Sequence, residues 1–213
     1  MKSPVFISNL TGKLEKMRAV SVNTLTNPFC IKMHKSIKEI ICTHCYSFYF
    51  LEGFRKNAAA ALQRNSELLS KRVLDKKELP IIKDKVFRFN AHGEMINKKH
   101  LQNYVNITEI NPDCMFSLYS KNKKLIIDYF DSGLKKPSNL ILVYSNPKLD
   151  NIKFKSPRWF DKVFNNVSEN KFVKHQNCTG QKCKDCLICY KKDAVNVIVE
   201  SVRYRKQKVK KYG

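Results

Sequence analysis

The stretch Cys178-Thr-Gly-Gln-Lys-Cys183-Lys-Asp-Cys186-Leu-Ile-Cys189 restricts this chain more than any other. Four thiols fall within twelve residues, and the last three follow a Cys-x2-Cys-x2-Cys pattern. Neighbours this close rarely meet the Cα and Cβ separations that a disulfide requires. Thiolates this dense repel one another unless a cation holds them. Zinc takes four tetrahedral ligands, usually as two Cys-x2-4-Cys pairs well apart in sequence. An iron–sulfur cube suits three cysteines at x2 spacing better, because each thiolate must reach a different iron corner. Iron–sulfur ligation is therefore the first expectation for Cys178, Cys183, Cys186 and Cys189. Zinc is the second and a set of metal-free thiols the third.

Cys30, Cys42 and Cys45 form a second set, and Cys114 stands alone at the start of an apolar run, where a buried thiol is the expectation. Three ligands leave one iron of a cube without a protein thiolate, free to bind a small molecule. The two sets together predict one or two [4Fe–4S] clusters, closed near the C-terminus and open near the N-terminus. His34 and His44 flank the open set, but loop histidines are more often solvated than ligating.

With 213 residues, 43% of them hydrophobic, the chain can bury the core of one large domain. No apolar run approaches the length of a membrane span. The opening Met1-Lys-Ser-Pro-Val-Phe-Ile-Ser-Asn-Leu lacks the apolar core and cleavage site of a signal peptide. Eight cysteines without such a signal imply a reducing compartment, where thiols serve metals and a disulfide scaffold is excluded. Lys and Arg number 41 against 18 acids, a formal net charge of +23. That charge attracts polyanions, so non-specific, electrostatic nucleic-acid binding is one expectation and a solvated lysine surface the other. Only eight of the 41 are Arg, which argues against base-specific readout.

Alternation and β-branching predict strands over residues 17–25, 85–91, 114–119, 139–145 and 194–204, with a further one at 171–174. Helical patterns fall at 46–74, interrupted at Gly53, and at 98–110, 123–130 and 157–167. Thr26-Asn27-Pro28 ends the first strand, and Cys30 sits in the long loop that follows and leads to Cys42. Alternating strands and helices predict parallel strands joined by right-handed crossovers, with ligands at the carboxyl ends of the strands. Cys30, Cys42 and Cys45 follow the first strand, and His92, Gly93 and Glu94 the second. Tyr119, Ser120 and Lys121 follow the next, and Ser145 and Asn146 the one after. Arg88, between Phe87 and Phe89, places a charge inside the sheet that needs an anion, either a ligand or an internal acid. Tyr46, Tyr119 and Trp159 are expected to pack, with base stacking as the other use.

Cys42-Thr-His-Cys45-Tyr46, Phe87-Arg88-Phe89 with His92-Gly93-Glu94, His100-Leu101, and Cys178 followed by Cys183-Lys-Asp-Cys186-Leu-Ile-Cys189 resemble the "gene product 88" family of bacteriophage proteins. The resemblance covers residues 20–205 and implies a phage-encoded protein working in the cytoplasm of the infected host cell. A more distant resemblance is to radical S-adenosylmethionine (SAM) enzymes, partial parallel barrels with three cluster-binding cysteines after strand one. Cys30, Cys42 and Cys45 would match that triad. Gly93 and Glu94 would match the end of the Gly-Gly-Glu motif that holds the SAM amino group. Here eleven residues separate Cys30 from Cys42, where those enzymes have three, and His92 replaces the first glycine.

The expectation is thus an α/β fold: a radical-SAM-like partial (βα) barrel over 17–170, after a lead-in at 1–16. A cysteine-rich cluster-binding segment with the last strand follows at 171–205, then a basic tail at 206–213. The first function expected is a radical-SAM-like iron–sulfur enzyme. The others are a non-catalytic iron–sulfur protein, or a zinc protein, binding nucleic acid or host machinery through its basic surface.

Overall fold

The structure, a computed structural model, describes residues 3–53, 55–168, 174 and 176–202. A short strand β1 (Ser8–Asn9) and a 3-10 turn at Gly12–Leu14 lead into β2 (Arg18–Val20). Helix α1 (Pro28–His34) follows, then a 3-10 turn at Ile41–His44, α2 (Tyr46–Glu52) and α3 (Lys56–Lys71). The chain continues through β3 (Val86–Phe89), α4 (Lys98–Glu109), β4 (Met115–Ser120), α5 (Lys123–Phe130) and β5 (Leu140–Leu149). It closes with β6 (Lys162–Ser168), the single turn α6 (Cys183–Cys186) and β7 (Val197–Val202).

Local chemistry sets the helix starts. Asn27, Asn97 and Asn122 each cap a helix, accepting at Oδ1 from the backbone N–H of Cys30 (3.1 Å), His100 (3.0 Å) and Leu125 (3.4 Å). Pro28 supplies the first position of α1, where its missing N–H costs nothing. Gly53 separates α2 from α3.

The seven strands form one sheet in the order β1 to β7. β1 pairs antiparallel with β2, and every later pairing is parallel. Side chains alternate across it, as period-two geometry demands. Phe87, Phe89, Phe116, Leu118, Leu140 and Leu142 join Leu69, Leu101, Tyr104, Ile107, Ile126 and Phe130 in the core beneath α3, α4 and α5. Ile141, Val143, Phe164 and Ile198 face the other way and pack with Met17, Cys178, Cys189 and Tyr190. A parallel sheet needs both faces covered. The cysteine-rich segment covers the face that the helices leave open.

Several boundaries differ from expectation. The helix predicted over 157–167 is strand β6 for most of its length. Phe160, Val163, Phe164 and Val167 recur at helical spacing, but Lys162, Asn165 and Asn166 between them are buried too, which leaves no polar face for a helix. Cys30 lies on α1 and not in a loop, because Pro28 opens a helix where it read as a stop. The first strand shrinks from 17–25 to Arg18–Val20. Ser145 and Asn146 lie within β5, which runs past a register shift to Leu149. The strand expected at 171–174 and the tail at 206–213 lie outside the described residues, apart from Lys174.

Candidate functional site

A cavity of about 390 Å³ lies at the carboxyl ends of the parallel strands. Its walls include Thr24 beyond β2, Arg88 on β3, Tyr119 and Ser120 on β4, Ser145 on β5, Phe164 on β6 and Glu200 on β7. Six of the seven candidate thiols also wall it: Cys30, Cys42, Cys45, Cys178, Cys183 and Cys189. Cys186 is half-buried and not among the lining residues, its Sγ 3.5 Å from Gln181 Nε2. All eight cysteines are free thiols, and Cys114 is buried in the helical core.

The first set is held by α1, the 3-10 turn at Ile41–His44 and the start of α2. Burial pushes the Cys30 thiol up, reinforced by the charges of Glu94, Cys45 and Cys42. Burial raises Cys42 as well, against the opposing pull of Lys121. Burial would depress the Lys121 ammonium, but Cys42, Cys45, Glu94 and Cys30 outweigh it and hold the group above its usual range. Lys121 Nζ donates to Ser145 Oγ at 3.0 Å. Glu94 is buried, and its carboxylate accepts from the backbone N–H of Lys121 (2.7 Å) and Met95 (3.0 Å) and from Asn90 Nδ2 (3.3 Å). Burial nevertheless raises its pKa, with those hydrogen bonds pulling the other way. Gly93, at φ 74°, brings the loop against Val22. His34 Nδ1 lies 2.9 Å from the Cys42 carbonyl and its ring stacks on Phe48, while His44 Nε2 lies 3.8 Å from Glu39.

The second set is shaped by α6 and by Leu187, whose left-handed backbone (φ 55°) ends that turn. Burial pushes Cys178 up to about 12 and Cys189 up to about 11, the latter moderated by a hydrogen bond from Tyr119 and by the Arg88 charge. Cys183 is raised by burial against the charges of Lys13 and Arg88. Lys13 Nζ lies 4.0 Å from Cys178 Sγ and is ion-paired with Glu200. Lys182 reaches back to Glu15 at 2.9 Å. The N-terminal turn is thereby docked on the cysteine-rich segment.

Among the described residues, no three His, Cys, Asp or Glu side chains converge as the ligand shell of a metal ion. Thiols of both sets line the one cavity. Their donor chemistry fits an iron–sulfur group: soft sulfur ligands, none consumed in disulfides, with one lysine beside each set to offset the negative charge of thiolates. Cys30, Cys42 and Cys45 would hold one such group, and Cys178, Cys183, Cys186 and Cys189 another. Lys121 and Lys13 were not singled out as partners from sequence. Lys121 was legible only as a residue at a strand end, and Lys13 carried no signal among 33 lysines.

Fold and site define an α/β protein with a mostly parallel sheet and a thiol-walled cavity at its carboxyl edge. The Gene product 88 family model matches residues 9–192, and the chain belongs to that bacteriophage family. No curated protein matches the chain, and neither does any solved structure.

Proposed function

We propose that the protein is an iron–sulfur protein of the infected host's cytoplasm, built on a radical-SAM-like arc of barrel and binding SAM at an open cluster. The observation that carries this reading is the meeting of two thiol sets, far apart in sequence, on one cavity at the strand ends. Parallel strands that follow chain order are what a one-way winding of right-handed crossovers produces, and that winding supports a barrel arc. Cys30, Cys42 and Cys45 would hold a [4Fe–4S] cluster with one open iron, whose chemistry when bound and reduced would be the supply of an electron for cleaving a carbon–sulfur bond of SAM. The chain's own part is orientation and exclusion of water. Gly93 lets its loop approach closely, and Glu94, fixed by three donors, offers a carboxylate of set direction to an ammonium group.

Protein purified anaerobically should contain iron and acid-labile sulfide in near-equal amounts. Adding SAM to the reduced protein should change its EPR signal and release 5′-deoxyadenosine. Cys30→Ser should deplete iron as severely as Cys45→Ser. Stoichiometric zinc without sulfide would sink the iron–sulfur reading. An intact cluster in Cys30→Ser, with no response to SAM in the parent, would sink the open-site reading alone.

A second reading, a non-catalytic nucleic-acid-binding protein, is favoured by the exposed aromatic rings of α2. Tyr46, Tyr49 and Phe50 are about half exposed (54%, 48% and 38%), and the Arg55 guanidinium lies 5.8 Å from the Phe50 centroid. Rings and cations so placed suit unpaired bases.

A further inference from the structure

Arg88 is a charge inside the protein with no acid to match it among the described residues. Alternation on β3 sends Phe87 and Phe89 into the helical core and Arg88 to the opposite face, where it walls the cavity. Arg18, Arg72 and Arg158 are paired with Asp84, Glu78 and Asp131. Arg88 has no carboxylate within ion-pair distance among the described residues, and its Nε has no hydrogen-bond partner. Its guanidinium lies 4.0 Å from the centroid of the Tyr119 ring, and the phenols of Tyr190 and Tyr46 and the Cys189 thiol are close enough to act on its charge. Stacking occupies a face of the guanidinium, the Tyr190 hydroxyl approaches its edge, and the Nε–H on that edge is left for another partner. An Arg edge of this kind matches the two oxygens of a carboxylate or phosphate. A buried cation left unpaired costs free energy that a bound anion would offset. The cavity volume of about 390 Å³ falls in the range of small-molecule sites.

We propose that Arg88 forms an oxyanion subsite that takes the carboxylate or phosphate of a small molecule bound in the thiol-walled cavity. The subsite stands on the cavity's own residues, whether or not the thiols carry a metal. Its rival is a role for Arg88 as counter-charge to Cys183 and Cys189, whose pKa values it lowers. The two roles separate by substitution. Lysine keeps the point charge that a counter-ion needs and loses the planar fork that an oxyanion needs.

The test titrates the full-length, anaerobically purified protein with inorganic phosphate and, separately, with acetate at constant ionic strength. It does so for the parent, Arg88→Lys and Arg88→Gln, by calorimetry, with iron, sulfide and thermal unfolding measured on each. The parent should bind at least one of the two ions at a single site, and both variants should lose about tenfold or more in affinity. The stronger ion identifies the source as phosphate or carboxylate. No saturable site in the parent, or equal affinity in parent and Arg88→Lys, overturns the proposal. Metal lost in Arg88→Gln and kept in Arg88→Lys, with oxyanion affinity unchanged, assigns the counter-charge role instead. Should Arg88→Gln fail to fold, Arg88→Lys carries the test, since it keeps the charge and most of the volume. A protein without iron whose phosphate affinity still depends on Arg88 would retain the subsite and discard the cluster.

Discussion

At Gly93 a Cβ would lie 2.6 Å from both Val22 Cγ2 and the Val22 carbonyl oxygen, on a backbone already at φ 74°. Neither neighbour can retreat, because Val22 is fully buried and its N–H donates to the His92 carbonyl at 3.2 Å. Gly93→Ala should therefore destabilise the fold by about 2–4 kcal/mol, combining left-handed backbone strain with overpacking. Urea unfolding checks this, and a change within 0.5 kcal/mol (about the scatter of surface substitutions) would refute it. His100 poses a different problem. It is fully buried, its Nδ1 accepts from the Ile96 N–H at 3.2 Å, and burial holds its pKa down to about 3. An unfolded histidine titrates near 6.5, so between those values the unfolded chain binds the extra proton. Stability is full above pH 6.5 and is lost as pH falls through the window, by roughly 1.4 kcal/mol per unit. His100→Gln should lose stability at neutral pH and show a shallower acid slope. Parallel pH profiles for parent and variant would exclude His100 as the source. Glu94 and Gly93 were visible in the sequence as a strand-end pair, but nothing there signalled the contact with Val22, which depends on how two loops meet.

Among the elements, β6 was expected as a helix, and Lys162 explains why. A lysine in a run with Phe and Val marks a helix with a wet face, yet Lys162 is 1% exposed. Its Nζ donates to Asp193 Oδ1 and to the Val195 carbonyl, both at 2.6 Å. The partners lie some thirty residues downstream, beyond any local pattern. β3 and β4 were legible from their β-branched and aromatic runs, and β5 from a nearly unbroken apolar run of the kind buried on both faces. Asp193→Ala should cost more stability than Lys162→Met. The first leaves a buried ammonium with one fewer partner, about 1–3 kcal/mol, and the second replaces the charge with apolar volume, which is often tolerated. Chemical denaturation of the two variants side by side gives the order, and the reverse order would mean that the pair contributes net stability. Helix α1 was hidden by Pro28 for a related reason. A proline that cannot continue a helix can begin one when an asparagine precedes it as cap.

Over the whole molecule the net charge of +23 sets the long-range behaviour. If it serves nucleic acid, affinity for single-stranded oligonucleotides should be non-specific, about 10⁻⁴–10⁻⁶ M, and fall linearly with salt on a log–log plot. A flat salt response would leave the lysines as a solvated surface. No helix among the described residues is long and apolar enough to cross a membrane. Six of the seven thiols that spacing singled out line one cavity. That both sets line the same cavity was not legible, because it depends on which sheet face the C-terminal segment covers. This placement bears on biosynthesis. Cys30, Cys42 and Cys45 emerge from the ribosome in roughly the first quarter of the chain, and Cys178, Cys183 and Cys189 in roughly the last fifth. Until then Ile141, Val143 and Phe164 lack the cover that Tyr190 and its neighbours provide. A chain halted early would present a bare apolar sheet and three unguarded thiols, open to aggregation and oxidation. A cavity bordered by both thiol sets is therefore complete only after the C-terminal set has been made.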